Sequence, residues 1–247
     1  MSKIQLFQGN CLDILKNIPD KSVDMILSDL PYGKTQCKWD IMLPVDEIWE
    51  LYNRIIKDNG AVCLFGIEPF SSMIRMANIK YYKYDWIWKK PRGTGHLNAK
   101  KQPLRDVEMI SVFYKKQCIY NPQFSVGEPY SKLKGGKNSY ISECGETTYG
   151  KFMNGQAYRN DNNGFRYPKQ VLEFCGVERN TLHPTQKPVA LCEYLIKTYT
   201  NEGMTVLDSC MGSGTTGVAC GNLNRNFIGI ELDGKYFKVA KARIENT

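Results

Sequence analysis

The chain contains no run of about 18 consecutive apolar residues, so no membrane-spanning helix is expected. Its opening residues, Met1-Ser2-Lys3-Ile4-Gln5, lack the apolar centre of a signal peptide, and a cytoplasmic location is expected. None of the nine cysteines forms a Cys-x-x-Cys pair, and the two histidines, His96 and His183, are too few for an ordinary zinc site. Cys63 and Cys192 stand inside apolar runs and read as small buried thiols of a reducing compartment. There is no internal repeat, and no linker composition separates two domains.

What is present suffices for one domain with an elaboration: 247 residues, 42% apolar and 23% charged. The net charge of +8 is concentrated in the middle of the chain. Residues 80–169 hold 17 Lys and Arg against 7 Asp and Glu, which leaves the remainder close to neutral. Glycines, aromatics and polar residues are interleaved with these charges, a pattern that suits a polyanion such as nucleic acid better than a merely solvated face.

Taken in order, the pattern alternates strand and helix. Cys11-Leu12-Asp13-Ile14-Leu15 has helical spacing and ends before Pro19, and Val23-Asp24-Met25-Ile26-Leu27 is a buried strand. Val45 to Ile56 is a helix stopping at Asn59-Gly60, Ala61 to Phe65 a second buried strand, and Pro69 to Ile79 a helix with proline at its start. Tyr84 to Trp88 and Glu108 to Tyr114 alternate as strands. Periodicity then dissolves from Tyr120 to Arg179 into Gly, Asn, Tyr, Ser and Lys. Order returns at His183-Pro184-Thr185-Gln186-Lys187-Pro188 and a helix to about Thr200. Strands Met204–Leu207 and Phe227–Ile230 follow, with a last helix from near Tyr236. The expected architecture is α/β, with a mostly parallel, Rossmann-like sheet carrying an antiparallel edge and an irregular insertion.

Two stretches carry chemistry. Pro31 forbids the first strand from continuing, so Asp29 stands at its carboxyl end, where open α/β sheets hold ligands. Asp29, the carbonyl of Leu30 and the ring of Tyr32 can together grip a flat amino-bearing ring, two acceptors for its hydrogens and a face to stack on. The second stretch is strand, glycine turn, helix, strand, acid: Asp208, then Gly212, Gly214 and Gly217 in Gly-x-Gly-x-x-Gly spacing, then Glu231. That spacing alone would suggest a nicotinamide dinucleotide. Only 16 residues follow Glu231, too few for a second mononucleotide half, and Asp208 would repel a pyrophosphate. No lysine follows the glycines, which excludes a Walker-type phosphate loop. A phosphate-free nucleoside with a cationic group fits the acidic entrance better.

With both stretches in view, the chain resembles the amino-group (N6-adenine/N4-cytosine) DNA methyltransferases, of the permuted class whose catalytic motif precedes the cofactor motif. Asp29-Leu30-Pro31-Tyr32 is similar to the family's Asp-Pro-Pro-Tyr, His183 to Pro188 to its pre-cofactor segment, and Asp208 to Thr216 to its Asp-Pro-Phe-x-Gly-Ser-Gly-Thr-Thr turn. Leu30 stands for proline, Ser209-Cys210 for Pro-Phe, and Asn10 where relatives often carry an aspartate near the adenine.

The resemblance implies transfer of a methyl group from S-adenosylmethionine to the exocyclic N6 of an adenine flipped out of the duplex. Asp29, Leu30, Pro31 and Tyr32 would be catalytic. Asn10, Asp29, Thr185, Lys187, Asp208, Met211, Gly212, Ser213, Gly214, Thr215, Thr216 and Glu231 would hold the cofactor. Lys89, Lys90, Arg92, Lys100, Lys101, Lys134 and Lys137 would meet DNA, and no metal is implied. Residues 1–119 would form the catalytic half of the domain, 120–179 the target-recognition region with a basic contribution from 89–101, and 180–247 the cofactor half. A homodimer and a cognate restriction endonuclease are further partners in keeping with the family.

No Pro-Cys pair exists, so methylation at carbon 5 of cytosine is excluded. N4 of cytosine is the nearest alternative, and Asp rather than Ser at position 29 favours adenine. An RNA or protein substrate is disfavoured by the basic middle segment and the motif order. An inactive nucleic-acid-binding subunit would be expected to have lost Asp29 or the glycine turn.

Overall fold

The computed structural model describes residues 2–33, 41–134, 158–174 and 186–247. They fall into two compact units, residues 1–121 with 169–247, and residues 122–168.

The larger unit is built on an eight-stranded sheet. Its strands are β1 (Ile4–Gln8), β2 (Val23–Ser28), β3 (Ile56–Gly66), β4 (Tyr82–Thr94), β5 (Arg105–Phe113), β10 (Val171–Glu173), β11 (Thr205–Asp208) and β12 (Asn226–Glu231). Their order is β1-β12-β11-β2-β3-β5-β4-β10. Every pairing is parallel except the two made by β5, which runs against both β3 and β4. The mostly parallel α/β sheet is therefore as expected, but the single reversed strand, β5, lies inside the sheet rather than at its edge, where β10 pairs in parallel.

Helices cover both faces, as a parallel sheet requires. Alternation along β2 shows why: Met25 and Leu27 point into one buried cluster, Ile26 into the other. The first cluster includes Leu191, Cys192, Leu195 and Ile196 of α4 (Val189–Tyr199), Ala219 and Cys220 of α5 (Thr215–Asn222), and Ala240 and Ile244 of α6 (Gly234–Glu245). The second includes Leu15 of α1 (Cys11–Lys16), Trp49, Tyr52 and Ile55 of α2 (Val45–Ile55), and Phe70 and Ile74 of α3 (Phe70–Ala77).

Boundaries differ from the sequence reading in three places. Helix α2 passes directly into β3 at Ile56, and the Asn59-Gly60 signal is absorbed as a register shift between the Val23–Ile56 and Met25–Ala61 pairs. Strand β4 runs on to Thr94 through Lys89-Lys90-Pro91-Arg92, because Thr94 still pairs with Arg105. Val171–Glu173, read as aperiodic, joins the sheet edge beside Ile87–Lys89.

The smaller unit holds two short antiparallel ladders. One joins β6 (Ser125–Val126) to β9 (Phe165–Arg166), the other β7 (Tyr130–Lys134) to β8 (Tyr158–Asn162). The Asn162 side chain accepts from the Gly164 amide, and Gly164 at φ +94 closes the turn; neither feature has an apolar period that would betray a strand.

Candidate active site

The parallel strands β2, β11 and β12 end at the same side of the sheet and deliver three acids there: Asp29 just past β2, Asp208 as the last residue of β11, and Glu231 as the last of β12. Because β5 runs the other way, its amino end lies beside the carboxyl end of β3, where Gly66 pairs with Met109. Glu108 thereby joins the site as a fourth acid.

Asp29 and Glu108 share Lys187. The Lys187 ammonium bonds Asp29 Oδ2 and lies 2.9 Å from Glu108 Oε1, while the Tyr32 hydroxyl donates to Asp29 Oδ1 and reaches Glu108 Oε1 at 3.4 Å. Lys90 closes the cluster at 3.6 Å from Glu108 Oε2. The side chains of Lys187 and Glu108 are only 10% and 8% exposed, so this is a nearly dry ionic cluster rather than a surface pair. Burial, the first cause, raises the Asp29 carboxyl above its ordinary value against the pull of Lys187, and burial with the two acids lifts the Tyr32 phenol well up. The two carboxylates outweigh desolvation at Lys187 and hold its ammonium well above the usual lysine range. The Phe65 ring lies 5.0 Å from Lys187 Nζ, and the Phe70 ring centroid 4.9 Å from that of Tyr32.

Asp208 is fixed differently. Its Oδ1 accepts from Ser28 Oγ at 2.8 Å and from the Cys210 amide at 3.1 Å, and its Oδ2 from Thr216 Oγ1 at 2.7 Å. With no cation against it among the described residues, burial pushes its carboxyl up to about 6. Glu231 accepts the Gly212 amide at 2.9 Å on one oxygen and the Asp233 amide at 2.8 Å on the other. Ser209 Oγ lies 2.5 Å from the Tyr52 hydroxyl.

Other expected cofactor residues spend their side chains within the fold. Ser213 Oγ bonds Gln186 at 3.2 Å, Arg243 donates to both Ser213 and Thr215, and Met211 is buried beneath Gly229. Gly214 sits at φ +79 with Ala240 2.9 Å from where a Cβ would stand, so the turn demands glycine there on two counts. The Asn10 side chain caps α1, accepting the Leu12 amide at 3.0 Å. Leu30 is buried, and Pro31 is half-buried beside it.

Of the residues expected at DNA, Lys89 pairs with Glu173 at 3.1 Å, Arg92 is exposed near the end of β4, and Lys100 and Lys101 are exposed on the connection between β4 and β5. Lys90, by contrast, turns inward to Glu108. Thr185 and Lys137 lie outside the described residues, as does the side chain of Lys134. Sequence reasoning missed Glu108 as a site residue. Its signal was an acid at the head of the apolar run Met109-Ile110-Ser111-Val112-Phe113, a place where an unpaired carboxylate would be costly.

Comparison with known proteins identifies the family of the chain. The chain is 28% identical to the type II methyltransferase M.HpaI of Haemophilus parainfluenzae, over 98% of this chain and 74% of that protein. It is also 28% identical to M1.MboII of Moraxella bovis, over 96% and 94%. The crystal structure of the M1.HpyAVI–SAM complex superposes with a TM-score of 0.61 at 27% identity, covering 98% of both chains. The cytosine-N4-specific PvuII DNA methyltransferase shares the fold, with a TM-score of 0.66 at 16% identity over 98% of this chain and 86% of its own. The sequence profile described as DNA methylase, that of the N6/N4 methyltransferases, matches residues 23–242, and the chain belongs to that family.

Proposed function

We propose that the protein methylates N6 of adenine in DNA at a specific word, by base flipping and direct transfer, and that Asp29 is the residue that orients the amino group. The observation that carries this reading is the carboxylate at the end of β2 with a tyrosine three residues on, backed by Phe70. S-adenosylmethionine is the methyl donor of the family. The residues present suit it: the Glu231 carboxylate, held by two backbone amides, keeps lone pairs for a ribose diol, and the turn from Gly212 to Thr216 lies beside it. The donor supplies an electrophilic methyl group on a sulfonium.

The chain's own residues do the rest. Asp29 and the Leu30 carbonyl accept the two amino hydrogens, which aims the nitrogen lone pair at the methyl group. Tyr32 stacks on the base, at about 1–3 kcal/mol per base for such contacts. As the carbon–nitrogen bond forms, the methyl–sulfur bond would break with its electron pair staying on sulfur, which leaves as a neutral thioether; the methylated nitrogen would be cationic and would shed a proton. Asp29, whose carboxyl is raised by burial, is the acceptor at hand. Asp208 braces the turn through Ser28, Cys210 and Thr216. An aspartate rather than a serine at position 29 supports adenine over cytosine N4. The proposed protein is a cytoplasmic modification enzyme, with a second copy of the chain and a cognate restriction endonuclease as partners. Among the described residues no helix is long and apolar enough to cross a membrane.

The test is to incubate the protein with S-adenosylmethionine and unmethylated duplex DNA, digest the DNA and weigh its nucleosides. N6-methyldeoxyadenosine that disappears in Asp29→Ala is expected. N4-methyldeoxycytidine would overturn the base assignment while leaving the site intact.

A further inference from the structure

Both oxygens of Asp29 accept hydrogen bonds, Oδ1 from the Tyr32 hydroxyl and Oδ2 from the Lys187 ammonium. Each oxygen keeps a further lone pair, so a base amino group docking at Oδ2 competes with the ammonium for that oxygen's direction and charge rather than finding it filled. Lys187 is the stronger competitor because its bond is charge-assisted. Its side chain is only 10% exposed, so a lysine leaving Asp29 has little water to receive it, and an unpaired buried ammonium is costly. The cluster contains the remedy. Glu108 Oε1 already stands 2.9 Å from the same ammonium and is itself nearly buried.

We propose that Glu108 is a positioning residue for methyl transfer: it takes Lys187 as sole counter-ion when Asp29 turns to the amino group, and so frees the Oδ2 acceptor. The inference rests on the reading that an amino group docks at Asp29. Lys187 is then a shared cation with two resting places, and Glu108 acts through it without touching the base. Lys90 lies 3.6 Å from the other Glu108 oxygen, a second cation beside the two carboxylates. The groups facing Asp29 are Lys187, Glu108 and Tyr32, with Asp208 and Cys192 further off.

The test compares wild type, Glu108→Gln, Lys187→Met and the double variant in single-turnover methyl transfer to duplex DNA. Binding of S-adenosylmethionine is followed separately by equilibrium dialysis. Glutamine keeps the shape of Glu108 and removes its charge, so Lys187 is left on Asp29. The rate is expected to fall on the order of 10²-fold, the loss typical of a misplaced reacting group. Cofactor binding is expected to hold.

Three further results distinguish this from a structural role. The acid limb of the rate profile moves to lower pH in Glu108→Gln, since the carboxylate that raises the Asp29 carboxyl is gone. In Lys187→Met the limb moves the other way. Most telling, the double variant is faster than Glu108→Gln alone, because removing the stranded lysine unblocks Asp29. A Glu108→Gln enzyme with the wild-type rate, or a double variant whose loss is the product of the two single losses, overturns the proposal. If Glu108→Gln does not fold, Lys187→Met and the double variant carry the comparison: equal rates support the role, and a further loss in the double variant overturns it. A wild-type protein that methylates neither adenine nor cytosine would sink the docking at Asp29 itself, and this inference with it.

Discussion

Asp29 and Asp208 end neighbouring parallel strands, face the same side of the sheet and are both aspartates, yet their surroundings are opposite. The partners of Asp29 include a lysine ammonium, which also faces Glu108, and a tyrosine hydroxyl. Those of Asp208 are two neutral hydroxyls and a backbone amide, anchored on β2, on the turn and on α5. Strand ends in such folds present acids in a row. Whether an acid meets substrate or braces the scaffold is decided by how exchangeable its donors are.

The sharpest way to break the comparison is Asp29→Asn. An amide in place of one acceptor oxygen presents a donor to the amino group, and transfer is expected to fall by at least about 10²-fold, the usual loss for one preorganised polar group. Cofactor binding and melting temperature should stay near wild type. A comparable loss of cofactor binding would mean that Asp29 is a brace like Asp208. Next in size is Lys187→Met. Lys187 holds the Asp29 carboxyl down against burial, so without it the carboxyl rises further. The acid limb of the pH–rate profile should then shift to higher pH, most of the loss appearing on the acid side. A uniform loss at all pH values would deny Lys187 its electrostatic part.

Asp208→Asn probes the other acid through stability. The folded Asp208 carboxyl stands at about 6 against an ordinary 3.8. For an acid raised in the folded state, the linked stability is complete below the unfolded value and is lost as pH rises through the folded one. Asparagine does not titrate, and other groups cancel in the difference. Wild type should therefore hold its largest advantage over the variant below pH 3.8, and lose roughly 3 kcal/mol of it by neutral pH. Chemical denaturation of both proteins at several pH values measures this, and a gap that stays flat would show Asp208 ionising freely in the fold.

How much of this arrangement could be read from sequence follows from what local patterns encode. The strands that deliver Asp29, Asp208 and Glu231 were legible because an apolar run followed by proline or glycine fixes both the element and its end. Glu108 was not, because alternation along β5 says nothing of its direction. Only the sheet order turns the head of that strand toward the site. Nor could the sequence foresee that Met211, Ser213 and Thr216, inside a ligand-like turn, would spend their side chains on the core, on Gln186 with Arg243, and on Asp208. The continuation of β4 past Pro91 was hidden for a related reason, since ladder pairing with Arg105 outweighed a polar, proline-containing stretch.

The smallest expected effect concerns the basic residues on β4 and on the connection that follows it. Lys90 and Lys100 are alike in sequence as parts of one basic segment, but the first turns toward Glu108 while the second, with Arg92 and Lys101, is exposed. Charges that meet phosphates release counterions, so each one removed lowers the slope of log affinity against log salt by about 1. Replacing Arg92, Lys100 and Lys101 together by alanine should flatten that slope by roughly 3 and leave the single-turnover rate at saturating DNA unchanged. Lys90→Ala should leave the slope alone and slow the transfer step, because it uncovers a carboxylate beside Lys187 and Tyr32. A salt slope that falls equally with Lys90→Ala would place that ammonium on the DNA, and the inward orientation seen here would then belong to the free protein alone.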